Sequence, residues 1–140
     1  MRAEQHSEII CVHGNEGRAA CLLEWGPTLP IEPTFDVPGG RRGQVWRLAS
    51  TGEDKLLLRL FREVWRRALA LGLERLYIGV SPDDVAYYEM TLCFRRVESE
   101  PRFWPLANAP AMLLVLDVEA ALSEREARQS LRRFAGRIKE

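Results

Sequence analysis

The stretch from Gln44 to Val80 constrains the fold more than any other, because its hydrophobic period changes twice within one continuous run. Gln44 to Ser50 (QVWRLAS) has strand-like composition. From Lys55 to Gly72 the apolar residues Leu57, Phe61, Val64, Trp65, Ala68 and Leu71 recur at three- and four-residue intervals, while Arg59, Arg62, Glu63, Arg66 and Arg67 fall on the other side. That is the stripe of an amphipathic helix laid on a sheet. Gly72 is placed to end it as a C′ residue, and Thr51 followed by acids is placed to cap its start. Leu73 to Val80 then reads as a strand buried on both faces. A strand, a helix and a second buried strand predict a right-handed crossover with the two strands parallel.

The flanking segments extend this unit into a mixed sheet. Glu8 to His13 and Arg18 to Trp25 are short apolar runs around Gly14-Asn15-Glu16-Gly17, the pattern of an antiparallel hairpin. Gly26 to Gly43 holds four prolines and four glycines and reads as a long surface loop, of a length suited to a lid or a binding loop. After the crossover, a short helix is expected at Asp83 to Leu92 and a strand at Phe94 to Ser99. An irregular loop at Glu100 to Pro110 and a closing strand at Ala111 to Val118 complete the sheet. From Ser123 onward, Ala127, Leu131, Phe134 and Ile138 share one narrow stripe, predicting a terminal helix over 123–140 that packs on this domain or on a second copy.

Composition narrows the function classes. The 140 residues, 46% of them apolar, suit a single domain over 1–140 with a real core. Twenty Lys and Arg offset twenty Asp and Glu, so nothing in the net charge implies nucleic acid or an anionic membrane as the main partner. Cys11, Cys21 and Cys93 are scattered and lack a CxxC pair, which fits reduced thiols rather than a disulfide frame or a metal site. There is no run long enough to span a membrane and no signal-peptide plan, so a cytoplasmic location is expected.

Chemistry is expected at Ser81 to Phe94 (SPDDVAYYEMTLCF), which leaves the end of a buried strand and presents Tyr87 and Tyr88. Strand exits are where α/β folds place their sites. Pro82, Val85, Tyr87, Tyr88, Leu92 and Phe94 match, without a gap, the strand-exit motif of the N-acyl amino acid synthases and the acyl-homoserine-lactone synthases. Val45-Trp46-Arg47-Leu48-Ala49 and Asn108-Ala109-Pro110-Ala111 resemble two further segments of those families. Over roughly residues 8 to 120 the chain thus resembles the GNAT-fold N-acyltransferases. The resemblance implies an α/β (α+β) fold, a mixed central sheet with flanking helices, here with the N-terminal strand and helices of the fold shortened or absent.

The resemblance further implies attack of an amine on an acyl thioester. Tyr88 would be the general acid toward the leaving thiolate, and Gln44 stands at the position where relatives carry a glutamate base. Backbone N–H groups around Trp46 to Leu48 would hold the thioester oxygen, Arg47 would take the carboxylate of an amino-acid acceptor, and Ser81 and Tyr87 would line the substrate site. Thr51, Gly52 and Lys55 fall where the GNAT phosphate loop lies, although Ser50 to Lys55 carries two acids and a single glycine, a poor pyrophosphate cradle. No permanent cofactor and no metal are implied. The co-substrate would be an acyl-carrier-protein thioester or acyl-CoA, with the Arg59, Arg62, Arg66 and Arg67 face suited to an acidic carrier protein. A homodimer is the partner expectation for the exposed edge. Cys93 replaces the family's glycine before Phe94, which requires a backbone with φ below zero there. The alternative function is a catalytically degenerate module of the same fold that binds an acyl group or a protein.

Overall fold

The computed structural model describes residues 5–51 and 54–124. The predicted stripe beyond residue 124 and Gly52 lie outside the described residues. Seven strands, β1 (His6–His13), β2 (Arg18–Trp25), β3 (Arg42–Thr51), β4 (Arg75–Val80), β5 (Arg95–Arg96), β6 (Arg102–Trp104) and β7 (Ala109–Asp117), form a sheet in the order β1-β2-β3-β4-β7-β5, with β6 paired to β7 off this path. The hairpin is as the Gly/Asn turn predicts: β1 (His6–His13) and β2 (Arg18–Trp25) are antiparallel, and β2 pairs antiparallel with β3 (Arg42–Thr51). The crossover follows, with α1 (Asp54–Ala70) leading to β4 (Arg75–Val80), which lies parallel to β3. Gly72 has φ 76°, the left-handed backbone that suits a glycine after a helix.

The apolar stripe of α1 is buried against the sheet through Leu56, Leu60, Phe61, Val64, Trp65 and Ala68, with Leu57 at its margin. The same core takes Leu76, Ile78 and Val80 of β4, whereas Tyr77 points to the opposite face, so the continuous apolar run of this strand serves two layers.

That second layer corrects the expectation of a lid. Leu29, Ile31 and Phe35 of the 26–41 segment are buried against Tyr77, Trp104, Ala111, Leu113 and Val115, so this segment seals the sheet face opposite α1. Its polar ties are specific. Gln44 Oε1 accepts from the Ile31 N–H at 3.0 Å, and Arg42 pairs with Glu32 and donates to the Pro27 carbonyl at 3.1 Å. Arg75 Nη2 donates to the Gly39 carbonyl at 2.7 Å. The prolines break regular structure, but the apolar side chains between them still have to leave water.

Thr51 is likewise not the cap of α1. It is the last residue of β3, opposite Arg18, and its Oγ1 accepts from the Arg18 N–H at 3.3 Å. After β4, a 3₁₀ turn at Pro82–Asp84 enters α2 (Val85–Thr91). The strand expected at 94–99 shrinks to β5 (Arg95–Arg96), and the loop expected at 100–110 contains β6 (Arg102–Trp104), hairpinned to β7 (Ala109–Asp117). The last helix, α3, begins at residue 118 rather than 123, because Asp117 Oδ1 accepts from the Ala120 N–H at 2.9 Å and buried Val118 and Ala121 join the α1-side core. Cys93 has φ 64°, contrary to the expected negative value: the chain must turn sharply out of α2, and the Tyr88 carbonyl accepts from the N–H groups of both Leu92 and Phe94.

Candidate active site

The parallel strands β3 and β4 part company early. They pair only from Arg42 opposite Arg75 to Gln44 opposite Tyr77, after which β3 continues along β2 and β4 along β7. A bulge in β3 accompanies the divergence. Ala20 faces Ala49 and Leu22 faces Trp46, so Arg47 and Leu48 together oppose Cys21, and Arg47 takes φ 53°. A bulge of this kind bends and twists its strand. The edge of β3 at Trp46 to Leu48 therefore borders a wedge instead of a ladder partner. The wedge is a cleft of about 520 Å³ whose walls are Trp46 to Leu48 of β3, Ile78 to Val80 of β4, Ser81, Asp84 and Tyr88 beyond it, and Trp104, Leu106 and Ala107 of the β6–β7 hairpin.

Local sequence sets the Tyr88 wall. Ser81 follows the end of β4 and caps the turn: its Oγ accepts from the Asp83 N–H at 3.4 Å and its carbonyl from the Asp84 N–H at 2.9 Å, while Pro82 starts the turn. Val85 and Tyr88, three apart on α2, are then both buried on the sheet side. The Tyr88 ring meets Phe61 and Phe94 edge to face, with centroids 5.9 Å away in each case. Burial pushes its phenol up to about 12, with smaller contributions in the same direction from Asp84, Tyr87 and Cys21. Tyr88 is therefore a neutral hydrogen-bond donor throughout the physiological range.

Across the cleft, the Arg47 guanidinium lies over the Trp46 ring, 4.5 Å from its centroid. The indole is fixed in turn, because Trp46 Nε1 donates to Glu24 Oε1 at 2.9 Å and the ring lies 6.1 Å from that of Trp104. Arg47 is exposed and forms no ion pair among the described residues. It also borders a second, mainly apolar hollow of about 390 Å³ formed with Ile9, Ala20, Cys21, Leu22 and Glu24. The guanidinium thus sits where two spaces meet, with its fork available to an anion.

Of the residues that sequence selects, Trp46, Arg47, Leu48, Ser81 and Tyr88 come together on this cleft. Gln44 does not reach it: it is fully buried at the last β3–β4 pair and bonded to the 26–41 segment. Tyr87 is half-buried and packs on Tyr88 at 5.8 Å, off the cleft wall. Lys55 lies elsewhere, in a hollow of about 370 Å³ between the β1–β2 turn and the start of α1, together with His13 and Arg59. Arg59, Arg62 and Arg66 line a neighbouring groove of about 500 Å³ together with Glu63, which pairs with Arg66 at 2.8 Å, and Arg67 is engaged by Glu8 at 2.7 Å. Asp84, Gly79, Trp104, Leu106 and Ala107 join the site without having been selected. Asp84 could have been suspected from its place in the strand exit, but the hairpin residues depend on a pairing that no local pattern announces.

Solved structures share this architecture. One is FeeM, an N-acyl amino acid synthase from uncultured soil microbes, at 19% identity and a TM-score of 0.68 over 81% of this chain and 73% of that one. Another is a putative N-acetyltransferase from Lactobacillus plantarum, at 12% identity and a TM-score of 0.50 over 73% of this chain and 69% of the other. The protein therefore has the GNAT fold of the N-acyltransferases. No protein-family model and no curated protein matches its sequence. Among the described residues no helix is long and apolar enough to cross a membrane.

Proposed function

We propose that the protein is an N-acyltransferase that moves an acyl group from a thioester to the amine of an amino acid or a similar small acceptor. The observation that carries this reading is the β3–β4 wedge, with the neutral phenol of Tyr88 on one wall and, on the other, the guanidinium of Arg47, which has no ion pair among the described residues. The acceptor nitrogen attacks the thioester carbonyl carbon, a C–N bond forms, the C–S bond breaks, and the products are an amide and a thiol. N–H groups along the β3 edge at Trp46 to Leu48 are the donors assigned to the developing oxyanion. Arg47 orients an acceptor carboxylate.

Magnitudes refine the role of Tyr88. A thiol ionises near 8.5, about three units below a phenol held at about 12, so completing proton transfer to the leaving thiolate would be uphill by roughly 4 to 5 kcal/mol. Tyr88 acts instead by donating a hydrogen bond to the departing sulfur. The proton that the attacking amine sheds is the one the departing thiolate gains, and the Asp84 carboxylate, which lines the same cleft, is the group assigned to carry it from nitrogen to sulfur. Gln44 could do neither, being sealed behind the 26–41 segment.

The donor is acyl-CoA or an acyl carrier protein. The groove lined by Arg59, Arg62 and Arg66 keeps two guanidinium groups beyond the Arg66–Glu63 pair, and this net positive charge favours the acidic carrier protein. A non-catalytic acyl-binding module is the second reading, favoured by the absence of a carboxylate at position 44. Incubation with acyl-CoA or acyl-carrier-protein thioesters and mixed amino acids, followed by mass spectrometry for N-acyl products and free thiol, separates the two. Product that diminishes in Tyr88→Phe and Arg47→Ala supports catalysis; bound acyl donor without any amide product leaves the binding module.

A further inference from the structure

We propose that Trp104 sets the length of the acyl group that the cleft accepts, an assignment that rests on the acyl-transfer reading. Trp104 ends β6 and is 5% exposed. Its benzene edge lies against β4 at Gly79, so close that a Cβ there would meet Cζ3 at 3.1 Å and Cε3 at 3.2 Å. The absence of a side chain at position 79 is what lets the indole approach the strand.

Two spaces adjoin this ring. One is the cleft of about 520 Å³ that carries Tyr88 and Arg47. The other, of about 500 Å³, lies toward Pro82 and the start of β7 and is walled by Ala109, Pro110 and Ala111. Gly79, Val80, Ser81, Trp104 and Ala107 border both. Among these shared residues Trp104 has the only large side chain, so its indole is the partition between the spaces. The first cleft takes the arm of the thioester as well as the acyl group, so an acyl chain that outgrows it meets the indole. Such a chain must displace the ring toward the second space.

The partition is held by packing alone. Trp104 Nε1 is buried and has no hydrogen-bond acceptor among the described residues. Replacing the indole with an apolar side chain therefore removes an unsatisfied polar group and breaks no hydrogen bond.

The test compares wild type with Trp104→Leu and Trp104→Phe. It measures kcat/KM for straight-chain acyl thioesters from acetyl to tetradecanoyl, and in parallel the calorimetric binding of the corresponding free fatty acids. In the wild type, each methylene beyond the length that fills the first cleft should cost about tenfold or more. In the variants the ratio of long- to short-chain kcat/KM should rise at least about tenfold, further in Leu than in Phe. Should Leu fail to fold, the Phe variant decides. An unmoved length limit in a folded variant overturns the assignment and leaves acyl transfer standing. A limit in fatty-acid binding that moves with Trp104, without turnover of any thioester, overturns acyl transfer and leaves the assignment. Neither turnover nor binding overturns both.

Discussion

The guanidinium of Arg47 stacks on the indole of Trp46 at 4.5 Å, and that indole is anchored to Glu24 through a 2.9 Å hydrogen bond. A long side chain that leaves its donors free usually loses rotamer entropy when it binds a ligand. Here the stack has already fixed the plane of the fork. Arg47→Gly should separate binding from folding. It relieves a left-handed backbone worth about 1–2 kcal/mol but frees the unfolded chain by about 0.5–1 kcal/mol and loses the stack, so stability should stay within about 1 kcal/mol of wild type. KM for a carboxylated acceptor should rise about tenfold or more, with a smaller rise for an acceptor lacking the carboxylate. Thermal melts and kinetics with the two acceptors check both halves.

Tyr88→Phe removes a hydroxyl and leaves the ring with its Phe61 and Phe94 partners. kcat should fall by about 10- to 100-fold with little change in KM, as expected when a donor acts only as the C–S bond breaks. Because the phenol stays protonated up to about 12, the wild-type pH profile should show no descending limb from Tyr88 below pH 10. A limb near neutrality that disappears in Tyr88→Phe would contradict this role.

Alkaline stability follows from two buried acids. Burial raises Cys21 from 9.0 to about 12 and Tyr88 from 10.0 to about 12. The unfolded chain releases these protons first, so the native state holds more protons between about pH 9 and 12 and stability falls as pH rises through that window. The contribution is complete below pH 9. The loss approaches about 1.4 kcal/mol per unit of pH for each group once its unfolded form is ionised. Denaturant melts from pH 8 to 11 should show the decline, and Cys21→Ala with Tyr88→Phe should flatten it.

The crossover is legible in the sequence because α1 and β4 are long enough for their periods to declare themselves, while the wedge residues Trp46 to Leu48, midway along β3, and Tyr88, beyond the end of β4, come from the motifs that carry the family resemblance. The 26–41 segment is not legible as a second core layer. Leu29, Ile31 and Phe35 have no regular period, and what buries them is Tyr77 and Val115, residues far along the chain. β6 escapes for a related reason: three residues cannot show alternation, and Arg102–Trp104 becomes a strand only by pairing with Ala109–Ala111. Gln44 misleads because a motif position says nothing about what covers it. The Ile31 N–H, thirteen residues away, converts a candidate catalytic amide into a tie between two segments.

Cys93 sits at φ 64° where the chain leaves α2, and the Phe94 N–H returns to the Tyr88 carbonyl at 3.2 Å. The turn therefore orders the same residue that carries the phenol. Cys93→Gly should relieve a left-handed conformation at the cost of some unfolded-state entropy, for a net gain of up to about 1 kcal/mol. In calorimetry this is a rise in Tm of up to about 3–4 °C. A fall in Tm would show that contacts of the thiol outweigh the backbone strain.

Gln44→Ala tests whether position 44 is structural. Gln44 is fully buried, its Oε1 is the acceptor for the Ile31 N–H, and its Nε2 has no partner among the described residues. Truncation leaves a buried N–H unpaired, which costs about 1–3 kcal/mol, and opens a cavity under the 26–41 segment besides. The expected result is a clear drop in denaturant midpoint with kcat within about twofold of wild type, since the cleft walls at Trp46 and Tyr88 do not contact the amide through any hydrogen bond. Gln44→Glu should also cost stability, because a charged carboxylate replaces a neutral amide at a fully buried position where a single N–H donor, that of Ile31, meets the side-chain oxygen. If that variant instead raised kcat while folding normally, the base would belong at position 44 and the role given to Asp84 would be wrong.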